Sequence, residues 1–212
     1  MKIARTLAAT AALGLVIAAV PTAAHADDDV RRTGSYTVRA GQTIEGDLIV
    51  RHGTVRIHGT VEGDVRQVGK GSVVVSKTGK VDGNISESGS GHVKVHGEVD
   101  GNVTERDSGS VRVYRSGSVD GNLAERGTGD VRVDRRGSVD GNVSETRGGK
   151  VVIRGTVDGN VKETGTGHLQ LMRTAKVDGN VYERGAGNLY VYRGAKVDGD
   201  ISEGGKGKRI NR

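Results

Sequence analysis

One short phrase recurs along this chain almost unchanged. VDGN followed by Val, Ile or Leu begins at Val81, Val99, Val119, Val139, Val157 and Val177, and VDGDI begins at Val197. Variants precede it, IEGDL from Ile44 and VEGDV from Val61; from 61 onward the spacings are 20, 18, 20, 20, 18, 20 and 20 residues. A unit this short cannot enclose a core, so each must bury its apolar face against its neighbours. The repeat therefore demands an elongated stack, and it constrains architecture far more than chemistry.

Within a unit the period is two. In HVKVHGEVDGNV, residues 92–103, apolar residues or glycines fall at Val93, Val95, Gly97, Val99, Gly101 and Val103. That alternation predicts strands with one buried face, and the branched side chains of Val and Ile suit a pleated surface. The 20-residue units add two residues between the strand pair and the VDGN phrase, and an even insertion keeps every following valine on the same face. GSG, GTG and GAG triplets at 89–91, 127–129, 165–167 and 185–187 read as tight corners. A row of hairpins would leave thin ribbons with little core. Coiling the chain once per repeat instead places valine over valine. The expected fold is all-β: a single-stranded parallel β-helix, or β-solenoid, with coils of 18–20 residues, forming a rod roughly 40 Å long.

The segments outside the repeat divide the chain. Lys2 and Arg5, an apolar run from Leu7 to Val20 and Ala24-His25-Ala26 have the form of a secretory signal peptide over 1–26. Residues 27–40 are expected as an N-terminal lead-in and cap, 41–203 as the solenoid, and 204–212 as a basic flexible tail. The mature chain then lacks a transmembrane anchor and works outside the cytoplasm. There is no cysteine, which removes disulfides, thiolate metal sites and a lipoprotein attachment point. The net charge of +6 falls to +4 without Lys2 and Arg5, and there is no Phe or Trp. Nucleic acid is therefore not an expected partner.

Stacking turns each repeated residue into a column. The structural positions are the pairs Gly83 and Asn84, Gly101 and Asn102, Gly121 and Asn122, Gly141 and Asn142, Gly159 and Asn160, and Gly179 and Asn180. Glycine suits a narrow coil there, and asparagine suits a turn or a side-chain hydrogen-bond ladder. Two acidic columns are expected on the exterior. One runs from Asp82 through Asp100, Asp120, Asp140, Asp158 and Asp178 to Asp198; the other runs from Glu87 through Glu105, Glu125, Glu145, Glu163 and Glu183 to Glu203. Stacked carboxylates raise the question of calcium, but the calcium-type repeat GGxGxD is absent and Lys and Arg are interspersed. No metal or cofactor is expected. His92 and His96 lie four apart on a strand rather than a helix, no GxSxG segment occurs, and carboxylates repeated on every coil do not single out a catalytic pair. The chain reads as non-enzymatic.

VEGDVRQVGKGSVVV (61–75), VDGNISESGSGHVKVHGEVDGNV (81–103) and VVIRGTVDGNV (151–161) resemble the bactofilin, or polymer-forming cytoskeletal protein, family over roughly 44–203. The resemblance implies a compact right-handed β-helix that polymerises end to end without a nucleotide, and it carries no catalytic residues. Bactofilins characteristically face the cytoplasm, whereas this chain has the form of an exported one. The functional expectation is a secreted, cell-envelope-associated scaffold capable of self-association. A carbohydrate- or ligand-binding solenoid is the alternative, using Tyr182, Tyr190 and Tyr192, and a polysaccharide-processing enzyme comes third.

Overall fold

The computed structural model describes residues 28–212; the expected signal peptide lies outside the described residues. Twenty-nine short strands wind into between nine and ten coils. Each complete coil contributes one strand to each of three parallel sheets, which hold ten, ten and nine strands. In one complete coil, Val103–Asp107 lies in the first sheet, Val111–Val113 in the second and Ser118–Val119 in the third. The molecule is thus a three-sided parallel β-solenoid. With strands about 4.8 Å apart, nine steps make a rod of about 43 Å.

The pairing is in register from coil to coil. Val93 pairs with Val73 below and Val111 above, and Val99 with Val81 and Val119. Inward valines therefore stand in continuous columns, nearly all with no exposure. Burying each contributes about 1.5–3 kcal/mol, and no coil could obtain that alone.

Three corners join the sheets. The first, between sheets one and two, holds the glycine triplets; the second, between sheets two and three, absorbs the variation in coil length; the third is the VDGN phrase itself. At the third corner a Cβ on Gly101 would lie 2.5 Å from the carbonyl oxygen of Gly83, one coil below. Glycine is required there because two backbones meet, not because of its conformational freedom.

The ends differ from the middle. Val30–Thr33 pairs with Leu48–Arg51, and Tyr36–Val38 pairs with Val55–Ile57, so residues before 41 already belong to the sheets. Within 204–212, where the sequence suggested a tail, Arg209–Asn211 pairs with Leu189–Val191. Arg209 and Asn211 are exposed where Leu189 stands buried and Val191 half-buried. Among the described residues, no helix is long and apolar enough to cross a membrane.

Candidate functional site

The Gly-Asn pairs all lie at the third corner, where asparagine makes two kinds of bond. Its Oδ1 accepts the backbone N–H of the equivalent residue one coil above. Asn102 N donates to Asn84 Oδ1 at 2.9 Å, Asn122 N to Asn102 Oδ1 at 2.8 Å, and Asn142 N to Asn122 Oδ1 at 2.9 Å. The same Oδ1 also receives the neighbour's Nδ2, at 2.9 Å between Asn122 and Asn102. The column begins earlier than the asparagines: Asp29, Asp47 and Asp64 already accept from Asp47 N, Asp64 N and Asn84 N. Aspartate can accept but not donate, so a column of it would stack like charges; asparagine does both without charge.

A second ladder, absent from the sequence-based expectation, runs up the first corner. His92 N donates to Ser72 Oγ, Ser110 N to His92 Nδ1, Asp130 N to Ser110 Oγ and Lys150 N to Asp130 Oδ1, all at 2.9–3.0 Å. His168 Nδ1 likewise accepts from Asn188 N at 2.9 Å. His92 and His168 are therefore hydrogen-bond acceptors at a corner. His96 lies at the second corner, its ring stacked on Tyr114 with centroids 3.8 Å apart. His92 and His96 thus occupy opposite ends of one strand.

The glutamate column overturns one expectation. Glu87, Glu105, Glu125, Glu145, Glu163 and Glu183 have no exposure; they point into the core. Parity is the reason: Glu105 lies two residues after inward Val103, and Gly109 continues the inward series. Gly109 leaves room at the corner, and its N–H donates to Glu105 Oε1 at 2.7 Å. Gly127 and Gly129 do the same for Glu125 at 2.8 and 3.1 Å, and Gly148 and Gly149 for Glu145 at 2.9 and 2.8 Å. The glycine triplets are carboxyl receptors as well as corners. Each Oε2 is buried and has no partner among the described residues. In register, each carboxyl stacks against the next, from Gln67 through Glu87 and Glu105 to Glu125.

An isolated buried carboxylate is costly, so Glu87, Glu105, Glu125, Glu163 and Glu183 favour the protonated form. Burial first, and then the Glu105 carboxyl, push Glu125 up to about 8. Burial pushes Glu163 up to about 8 and Glu105 to about 7. Glu87 and Glu183 are also raised, chiefly by burial.

The aspartate column is exterior. Lys80 Nζ bridges Asp82 and Asp100 at 2.9 and 3.0 Å. Further up, Asp140 is raised by burial and by Asp120 and Asp158 beside it. Among the described residues, no three His, Asp or Glu side chains are grouped to hold a metal ion.

The family described as polymer-forming cytoskeletal, bactofilin, matches residues 36–126 and 106–202. The chain belongs to the bactofilin family. It is also 39% identical over 56 residues, 26% of its length, to the anti-sigma-W factor RsiW of Geobacillus kaustophilus (strain HTA426). That match covers 27% of the relative, so the chain spans about a quarter of it. No solved structure matches. Bactofilins are structural proteins that self-polymerise. For a bactofilin, the corner ladders and the carboxyl column are the means by which one coil specifies the position of the next.

Proposed function

We propose that the protein is a non-enzymatic, self-assembling scaffold that acts outside the cytoplasm, at the cell envelope. The observation that carries self-assembly is the family match over 36–202 on a rod of parallel, in-register coils. Such a rod presents backbone donors and acceptors of its last strand, as well as the half-buried Val197 and Ile201, at its C-terminal end. Support for export comes from Lys2, Arg5, the apolar run to Val20 and Ala24-His25-Ala26.

Size-exclusion chromatography with light scattering, read across concentration and followed by electron microscopy, tests assembly. The expected result is concentration-dependent growth into filaments; a monomer at every concentration removes the scaffold reading. Export is tested separately by expressing the full chain with a C-terminal tag and fractionating the cells. Mature protein beginning at Asp27 outside the cytoplasm is expected, and an uncleaved cytoplasmic chain refutes it. The glycan-binding alternative has less support, because arginines occupy the tyrosine faces it would use: Arg184 lies 4.9 Å from the Tyr182 ring and Arg212 4.8 Å from that of Tyr190.

A further inference from the structure

The second corner is where long and short coils differ, and it obeys a rule of its own. In five successive long coils the second residue after the sheet-two strand is a cation: Lys77, Arg115, Arg135, Arg173 and Arg193. All five are exposed. The next residue depends on the coil beneath. Over the short coils of His58, His96 and Arg154 it is Thr78, Ser116 or Thr174, whose hydroxyl donates to the His58, His96 or Arg154 carbonyl at 3.0, 2.7 and 2.7 Å. Over a long coil it adopts a left-handed backbone, Arg136 at φ 71° and Gly194 at φ 103°.

Each short coil is therefore a notch between projecting long ones. One of them has Arg154 as its floor, with Arg135 and Arg136 below, Arg173 above and Lys176 and Lys196 beside it, around a groove of about 360 Å³. Among the described residues, no acidic side chain lines it. None of these six cations is in an ion pair among the described residues, unlike Lys80 and unlike Arg112, which holds Asp134 at 2.7 Å. Arg136 supplies a second, independent observation. The equivalent left-handed position in the last long coil is glycine, which occupies that conformation without strain. Arginine stands there against its backbone preference, and such outliers cluster at functional sites.

We propose that this notch binds a phosphate group of a linear anionic polymer laid along the second corner, parallel to the rod. Guanidinium forks suit phosphate oxygens, and the uncompensated charge favours an anion. A polymer, rather than a single anion, fits the cations that continue in line through Arg115 and Lys77 on one side and Arg193 on the other. Coils about 4.8 Å apart place them within reach of successive charged groups. Among the described residues the aromatic rings at this corner are the stacked His96–Tyr114 pair and, farther apart, His58 and Tyr192, not the continuous row that would mark nucleic acid as the ligand.

The test is binding of inorganic polyphosphate to the purified protein at several salt concentrations, with orthophosphate, neutral dextran and single-stranded DNA of equal charge as comparators. Saturable polyphosphate binding that weakens with salt is expected, without binding to dextran. The triple variant Arg135→Ser/Arg154→Ser/Arg173→Ser should bind at least about 10-fold more weakly. An equal-charge control, Arg31→Ser/Arg51→Ser/Arg66→Ser on the first sheet, should stay within about twofold if the corner is the site. Arg136→Gly keeps the fold and relieves its backbone, and it should weaken binding about threefold while raising Tm. Equal loss in both triple variants reduces the effect to net charge and overturns the proposal, as does absence of polyphosphate binding. Orthophosphate binding as tight as polyphosphate overturns the polymer, and tighter binding of DNA overturns its chemical class. All these outcomes are read on monomer or polymer alike, so they stand apart from the assembly test.

Discussion

At the scale of single residues, glycines with similar sequence surroundings differ sharply. A Cβ on Gly129 would overlap the carbonyl of Gly109, whereas one on Gly148 meets nothing closer than Thr166 Oγ1 at 3.6 Å. Gly129→Ala should therefore destabilise by about 3 kcal/mol, since backbone cannot move aside as a side chain can. Gly148→Ala should be neutral or stabilise by about 0.4–1 kcal/mol through the unfolded chain. Thermal denaturation of the two variants compares them directly. The sequence revealed that glycine-rich segments were corners, but not which glycines met another backbone. The glutamates were legible and were misread. Val103 and Glu105 share a face by simple parity, yet charge argued for the exterior, and nothing in one repeat shows that a glycine four residues on will leave room for a carboxyl and donate to it.

At the scale of the element, that glutamate column gives the solenoid an unusual pH dependence. Glu87, Glu105, Glu125, Glu163 and Glu183 are all raised above their ordinary value in the folded protein. The fold therefore holds protons that the unfolded chain releases above about pH 4.5, an ordinary glutamate value. Their stabilisation is complete below that pH and is lost as pH rises through the folded-state values, about 7 for Glu105 and about 8 for Glu125 and Glu163. His96 works in the opposite direction, lowered by burial and by Lys77, Arg112 and Lys94, but it is one group against five. Tm should fall from pH 5 to pH 9 when scanned in buffers of constant ionic strength. Glu125→Gln should flatten part of that slope and stabilise by about 1–3 kcal/mol at pH 9, because the amide stays neutral. Gln67 already fills the equivalent place lower in the column. A Tm that rises steadily from pH 5 to pH 9 would refute the account. The asparagine ladder is a simpler case: Asn122→Ala should cost about 1 kcal/mol or more, since it leaves the Asn142 N–H without its acceptor.

At the scale of the whole molecule, the coil, its period and its parallel stacking were all legible, because an 18- or 20-residue repeat of valines leaves few other ways to build a core. The behaviour of the ends was less so, since end residues depart from the pattern that makes the middle readable. Arg209 and Asn211 replace Leu189 and Val191 of the preceding coil and place polar side chains on the final rung. Arg209→Leu with Asn211→Val should extend the apolar column to the tip and increase self-association by about tenfold or more, visible in light scattering. An unchanged mass distribution would show that assembly does not use this end. The hydroxyls of Thr78, Ser116 and Thr174 have a consequence for descent. A tandem gene of this kind can lengthen or shorten by whole repeats, but the repeats are not interchangeable: losing the coil of His96 would set Ser116 above the long coil of Lys77, where the neighbouring cases use Arg136 or Gly194 with a left-handed backbone. Heritable changes in rod length should therefore occur in blocks that keep a short coil together with the one above it, giving the lineage a syntax as well as an alphabet.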